Sequence, residues 1–277
     1  MMIAIQGGRA SFHDIAARIH FGEDIQIVEC ATFRQLAQVL AQGQADYALM
    51  AIENSIAGSI LPNYQLISEY HLHIIGEVQL RIKQNLIANL GVKIEEVRKV
   101  MSHYMALLQC EDYLQQTQWE REEYYDTADS VRFIKEKGLK DTAAIASRYA
   151  AEVYGMQVLE HSIETNKQNY TRFFVLSAKP YIPHAEHNKA TLCFELQDKV
   201  GALADVLRII VDNQLNLTKI QSLPLIGRPN QYTFYVDCEW TDYRQFKATV
   251  GVNRYVEHLT ILGEYKKASL LDDYSRS

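Results

Sequence analysis

Along the first 178 residues, short apolar runs alternate with stretches of helical periodicity. Ile3-Ala4-Ile5 leads into Ser11-Phe12-His13-Asp14, where Ser and Asp three apart form a capping-box signature ahead of Ile15-Ala16-Ala17-Arg18-Ile19. Ile25-Gln26-Ile27-Val28 precedes a second box, Thr32-Phe33-Arg34-Gln35, and a helix pattern running to about Gln42. Tyr47 to Ile52 is apolar on both faces, as a buried parallel strand is. The rhythm resumes after Gly76, with strands predicted at Val97 to Met101, Arg121 to Tyr125 and Ala143 to Ala146. Helices are predicted between them at His103 to Gln115, Ala128 to Lys137 and Ser147 to Tyr154, and Phe173 to Leu176 reads as a returning strand. Two tandem α/β units would place a cleft between lobes. His71 and His73, two apart, fit the exposed face of a strand.

Residues 179 to 188 carry two of the five prolines and read as a linker. Beyond it the pattern predicts a strand at Ala190 to Leu196, a helix at Leu203 to Asn213, and strands at Leu217 to Ser222 and Tyr232 to Glu239. A helix at Tyr243 to Val250 and a strand at Val256 to Leu262 complete a βαββαβ order, the ferredoxin-like arrangement. Its sheet would leave one face open for pairing with a second copy. The predicted class is therefore α/β, two-lobed, followed by an α+β domain. The expected division is 1–178, a linker at 179–188, and 189–277.

Composition narrows the function classes. The 277 residues are 48% hydrophobic and 22% charged, ordinary for a globular protein of one large or two ordinary domains. A net charge of −6 argues against a broad grip on nucleic acid or an anionic membrane. No signal peptide or long apolar span is seen, so a cytoplasmic protein is expected. The four cysteines stand singly and the nine histidines form no ligand set, which predicts reduced thiols and no metal.

Four polar clusters fall where strands or loops meet helices. Glu53-Asn54-Ser55 follows the apolar strand ending at Ile52, at a strand's carboxyl end, where open α/β sheets bind ligands; from composition alone a polar turn is the favoured reading. Ser102-His103 opens a helix whose Gln109, seven residues on, shares nearly the same face; a cap and a first-turn histidine are the plain alternatives. Asp126 and Thr127 each suffice as an N-cap. Asn169-Tyr170-Thr171-Arg172-Phe173 precedes an apolar strand, and its arginine suits a carboxylate. Together with helix N-termini near Ser11, Ser102 and Thr127, these residues suggest a small carboxylate ligand without naming a reaction. Nucleotide, zinc-protease and serine-hydrolase motifs are absent from the sequence.

Taken in order, the segments Ile52-Glu-Asn-Ser-Ile-Ala-Gly-Ser59, Met101-Ser-His-Tyr-Met-Ala-Leu-Leu-Gln-Cys110, Asp126-Thr-Ala128, Ala144-Ile-Ala-Ser147 and Asn169-Tyr-Thr-Arg-Phe173 resemble prephenate dehydratase. The C-terminal part resembles an ACT regulatory domain, with Gly201-Ala202-Leu203 and Leu217 to Pro224 at its two ligand-binding segments. The resemblance implies a periplasmic-binding-protein-like catalytic domain. It implies conversion of prephenate to phenylpyruvate, carbon dioxide and water, in L-phenylalanine biosynthesis and without a cofactor.

It further implies catalytic roles for Thr171, Glu53 and His103, and substrate contacts from Asn54, Ser55, Ser102, Gln109, Thr127, Arg172 and Phe173. In that frame Thr171 bonds the departing hydroxyl, Arg172 holds a carboxylate and Phe173 shapes the pocket, while the proton donor is left between His103 and Glu53. L-Phenylalanine is implied as effector at Gly201, Ala202, Leu203, Gln221 and Ser222, between the ACT domains of a homodimer or homotetramer.

The chain departs from the family pattern in several places. Arg9 stands for a Pro, Ala10 for a Gly, His13 for a Ser and Tyr104 for the Pro after Ser-His. The family's Glu-Ser-Arg-Pro appears as Gln221-Ser222-Leu223-Pro224, which puts effector affinity or choice in doubt. Arogenate dehydratase and a non-catalytic amino-acid sensor remain as alternative readings. Residues 189–277 hold 11 basic and 11 acidic side chains, so residues 1–188 carry the whole −6. Recognition of a dianion must then rest on a few local donors.

Overall fold

The computed structural model describes residues 1–196, 199–225, 227–228, 231–249 and 256–271. By compactness the chain divides into two units. One holds Met1–Ile60, Val78–Phe173 and the described end of the chain from Ser269; the other holds Leu61–Glu77 and Phe174–Ala268.

The first unit is α/β. Strand β1 (Met2–Gln6) feeds helix α1 (Phe12–Phe21), then β2 (Gln26–Cys30), α2 (Phe33–Ala41) and β3 (Tyr47–Asn54), which pairs with the short β4 (Gly58–Ser59). Both predicted N-caps form: Ser11 Oγ accepts from the Asp14 amide at 3.3 Å and Thr32 Oγ1 from that of Gln35 at 3.1 Å, while the Asp14 and Gln35 side chains accept from the amides one residue before each cap, Ala10 and Ala31. β1 pairs in parallel with β2 and β3, so Ile3, Ala4, Ile5 and the run Ala48 to Ile52 are buried, as doubly covered parallel strands require.

Helix α3 (Leu61–Glu69) and β5 (His73–Arg81) follow, then β6 (Asn85–Ala88) and β7 (Lys99–Ser102). Helices α4 (Tyr104–Gln109) and α5 (Glu111–Leu114) replace the single helix expected over 103–115, because the chain breaks at Cys110. Strand β8 (Glu120–Glu123), α6 (Thr127–Lys137), β9 (Thr142–Ala146), α7 (Arg148–Tyr154), β10 (Gln157–Glu160) and β11 (Tyr170–Ser177) complete this half. β6 to β10 make a five-stranded sheet of order β10-β6-β9-β7-β8. His71 sits in the turn before β5 rather than in the strand, with φ +51°.

The second unit carries β12 (Lys189–Leu196), α8 (Ala202–Asp212), β13 (Asn216–Pro224), β14 (Tyr232–Glu239), α9 (Tyr243–Thr249) and β15 (Glu257–Tyr265). Val250, expected to end the last helix, lies outside the described residues. A two-residue strand, β16 (Leu270–Leu271), belongs to the first unit and pairs with β5 at Gln79 and Leu80. The four strands pair antiparallel in the order β13-β14-β12-β15, the predicted βαββαβ connectivity.

One face of this sheet buries Leu192, Phe194, Val236 and Cys238 with Val206, Ile210 and Phe246 of the helices. The opposite face, expected to be open, is covered in part by Leu61–Glu77. Tyr64 lies 5.1 Å from the Tyr235 ring, and Lys189 is paired with Glu77 at 3.1 Å. A Cβ on Gly263 would overlap the Ile74 carbonyl, so β15 passes too close there for any other residue.

All four cysteines are free thiols. Among the described residues no helix is long and apolar enough to cross a membrane, and no acid, His and Cys cluster could hold a metal ion.

Candidate active-site cleft

The end of β3 and the start of β11 build the first wall. Asn54 is buried, and its Oδ1 accepts from the amides of Ile56 at 3.0 Å and Ala57 at 2.9 Å. Those two bonds fix the amide's orientation and turn its NH2 toward Asn169 Oδ1, at 2.7 Å, and Thr171 Oγ1, at 3.0 Å. Thr171 therefore accepts from Asn54 and keeps its own hydroxyl proton to donate elsewhere. Thr171 and Phe173 both line a cavity of about 380 Å³.

The intervening residue faces away by the two-residue period of a strand. Arg172 is buried outside the cavity lining, with Nη1 3.9 Å from Glu53 Oε2. Glu53 and Ser55 also lie outside the lining; Ser55 Oγ donates to the Gln168 carbonyl and accepts from the Tyr170 amide, which ties the β3 end to β11.

The second wall comes from the five-stranded sheet. Ser102 ends β7 fully buried, its hydroxyl donating to the Ile145 carbonyl at 2.6 Å, so it neither caps the helix nor reaches the cavity. The cap is His103, whose Nδ1 accepts from the Met105 amide at 3.2 Å. Burial pushes the His103 imidazole below its usual pKa, against the opposing pull of Glu123. His103 and Gln109 line the cavity, and Gln109 accepts from Gln84 at 3.3 Å.

Helix α6 points its N-terminus at the same space. Asp126 caps it, Oδ1 accepting from Ala128 at 2.8 Å and Asp129 at 3.2 Å, and Thr127 is its first residue; both line the cavity. Burial raises the Asp126 carboxyl to about 6; the nearby Asp129 charge adds to this while three backbone amides oppose it. From the first sheet, the β1–α1 turn meets this helix end. Gly7 has φ +89°, and a Cβ there would stand 2.8 Å from Asp126 Oδ2, so the position needs glycine twice over.

His13, on the first turn of α1, lines the cavity between Phe33 and Phe173, with ring centroids 5.6 and 5.0 Å away. Its Nε2 accepts from the Ala51 amide at 3.3 Å, and desolvation lowers its pKa to about 3, so it is neutral at physiological pH.

Six of the sequence-derived residues, Asn54, His103, Gln109, Thr127, Thr171 and Phe173, thus meet around one cavity; Glu53, Ser55, Ser102 and Arg172 stand behind its walls. From the sequence Asp126 reads as a cap alone and His13 only as a departure at its position. A cap at a strand-to-helix turn, followed by a hydroxyl residue, was the available signal for Asp126. Among the described residues no Lys or Arg lines the cavity. Its means of holding an anion are neutral donors and the N-termini of α1 and α6, each at least ten residues long. The arrangement can orient a small polar ring compound and bond an oxygen that leaves it.

In the other unit, Gly201 precedes α8 with φ +87°, and Ala202 and Leu203 begin the helix. Gln221 and Ser222 lie on β13, an edge strand of the four-stranded sheet.

The sequence profile of the family described as prephenate dehydratase matches residues 3–181. Arogenate dehydratase 2 of Petunia hybrida is 36% identical, over 97% of this chain and 72% of its own length. A structure of prephenate dehydratase in complex with L-Phe, from Arthrobacter aurescens, matches with TM-score 0.85 and 26% identity, covering 96% of this chain and 90% of that one. A structure of GqqA, described as a novel type of quorum quenching acylase, matches with TM-score 0.87 and 28% identity, covering 97% and 98%.

Proposed function

The chain belongs to the prephenate dehydratase family, and we propose that it removes carbon dioxide and water from prephenate to give phenylpyruvate. Arogenate, with an amino group in place of the side-chain keto group, is the alternative substrate. The Asn54–Thr171 bond at the cavity wall carries the reading. In this elimination the ring carboxylate's C–C bond breaks, its electron pair enters the ring, and the C–O bond to the ring hydroxyl breaks as the ring becomes aromatic. A hydroxyl donor held beside the departing oxygen is what that chemistry asks for, and Asn54 leaves Thr171 in that state. Phe173 and His13 supply the ring-shaped apolar wall, and His103 and Gln109 supply donors opposite it.

The acylase likeness is the second reading. Acyl transfer by Thr171 would need a base accepting the Oγ1 proton, and the hydrogen bond seen at that oxygen is a donation from Asn54 rather than one made to a base. This favours the dehydratase.

The division proposed is a catalytic part at 1–178 and an ACT regulatory part at 189–277. L-Phenylalanine would bind at Gly201, Ala202, Leu203, Gln221 and Ser222 between paired copies of a homodimer or homotetramer. The L-Phe complex of the Arthrobacter relative and the edge position of β13 support this. The deciding experiment incubates the protein with prephenate and, separately, with arogenate, following phenylpyruvate and phenylalanine. Turnover of prephenate with the higher kcat/KM is expected; release of neither product would sink the dehydratase reading. A titration in which L-phenylalanine changes neither activity nor melting temperature would remove the effector.

A further inference from the structure

The family reading leaves the source of the proton open, and the two side chains suggested for it are badly placed. Glu53 lies outside the cavity beside Arg172. His103 has Nδ1 engaged by the Met105 amide and is held toward its neutral form by burial. We propose that Asp126 is the acid that protonates the departing hydroxyl, an assignment that rests on the dehydratase reading above. Among the described residues it is the only carboxylic acid in the cavity lining.

Its two oxygens have separate surroundings. Oδ1 holds two amides of the first turn of α6, while Oδ2 stands on the Gly7 side, where the absence of a Cβ leaves it room. The carboxyl is thus fixed by one oxygen and carries its proton on the other. Burial, which lifts the group to about 6, keeps part of it protonated near neutrality.

The charged and titratable groups around it are few. Asp129 is one turn on and itself faces Arg132, Tyr125 and Glu29. His13 and His103 line the same cavity from α1 and from the α4 cap. Asp129 opposes ionisation of Asp126, and burial disfavours the charged form of both histidines.

The step balances. The Asp126 proton passes to the hydroxyl oxygen, which leaves as water, carbon dioxide departs with the former ring carboxyl, and Asp126 is left as a carboxylate to be reprotonated by solvent. An incoming dianion, with no Lys or Arg in the lining, further favours the protonated acid.

The test is the pH profile of kcat for Asp126→Asn. Asparagine keeps an N-capping oxygen, so α6 should hold and the melting temperature should stay within a few degrees. The wild type should lose kcat as pH rises past a value above about 6, since the bound dianion favours the protonated acid; the variant should fall roughly 100-fold or more and lose that dependence, with KM changed only a fewfold. Should the asparagine variant misfold, Asp126→Ser offers a capping hydroxyl without an acid and is expected to behave alike. Wild-type kcat or an unchanged profile in either variant, beside an active wild type, would overturn the assignment alone. A wild type inactive on both acids would overturn the function with it.

Discussion

Two cavities of the first unit, supplied by one stretch of chain, have opposite chemistry. In residues 81–85, from the last residue of β5 to the first of β6, Ile82 and Gln84 line the cleft, whereas Arg81, Lys83 and Asn85 line a smaller pocket of about 120 Å³. That pocket also receives Arg148 and His161 and no Asp or Glu; the cleft receives Asp126 and no Lys or Arg. Phe12 belongs to both walls. Alternation along an extended segment therefore sorts the cations away from the cavity that carries the proposed chemistry. An arginine in the cleft would bind substrate and transition state alike, which lowers KM without raising kcat; donors aimed at a leaving oxygen act mainly in the transition state.

The largest expected effect tests that statement directly. Thr171→Ala should lower kcat about 100- to 1,000-fold while KM changes only a fewfold, measured by steady-state turnover of prephenate. A drop confined to KM would mean that Thr171 is a binding group and that the cleft works like an ordinary anion site.

Next in size is the effect of the buried imidazole. His13 is neutral in the fold, with its pKa lowered from 6.5 to about 3 by desolvation. The unfolded chain binds more protons than the folded one between those values, so the stability of the neutral form is full above 6.5 and is lost as pH falls toward 3. At pH 5 the loss is on the order of 2 kcal/mol. Asp126 works in the opposite sense, since its raised pKa lets the fold bind the extra proton and stability falls as pH rises from 3.8 to about 6. Denaturant melts at pH 5 and 7 should show a smaller pH dependence for His13→Gln than for the wild type. Equal dependence would place the ring in contact with water.

Most of the elements were readable from the chain because their signals are local. Ser11 and Thr32 cap where the boxes predict, and the β12 to β15 order follows from period and turns. Helix α3 gives no clear signal in the sequence, because Leu61–Glu69 has a weak apolar stripe and Pro62 near its start. The site was legible as a set of motifs but not as a set of directions. Thr171, Arg172 and Phe173 are consecutive, and only the strand's pleat tells that the arginine lies with Glu53 behind the wall. Likewise Ser102 and Gln109 share a helical face only if a helix includes both; Ser102 is in β7. Asp126 was concealed by sufficiency, since capping accounts for one of its oxygens and leaves nothing in the sequence to raise the other.

The basic pocket gives a smaller effect. Its cations lie outside the cleft lining, Lys83 and Arg81 half-buried and Arg148 exposed, and charges open to solvent are screened over about 8 Å at physiological salt. Lys83→Gln should raise KM for prephenate by no more than about threefold at 150 mM salt, and by more at 10 mM, with kcat unchanged. A tenfold or larger rise at physiological salt would show that the pocket, and not the helix N-termini at the cleft, holds a substrate carboxylate.

The smallest effect concerns the turn that joins the two cavity walls. Ala10 is buried at φ +69°, a left-handed conformation that costs a residue with a Cβ about 1–2 kcal/mol. The turn is held there from several sides: the Ala10 amide donates to Asp14 Oδ2 at 2.7 Å, and its carbonyl accepts from Ser147 Oγ at 3.2 Å, beside the basic pocket. Three residues earlier, Gly7 meets Asp126 at the cleft. Replacing Ala10 by Gly removes the strain and also a buried methyl worth about 0.8 kcal/mol, and it frees the unfolded chain. The terms nearly cancel, and the net expected is a change of no more than about 0.5 kcal/mol in either direction, read as a shift of at most a degree or two in melting temperature. A loss of 1 kcal/mol or more would mean that the methyl's packing outweighs the strain. The turn would then be fixed by contact with both cavity walls rather than by its hydrogen bonds.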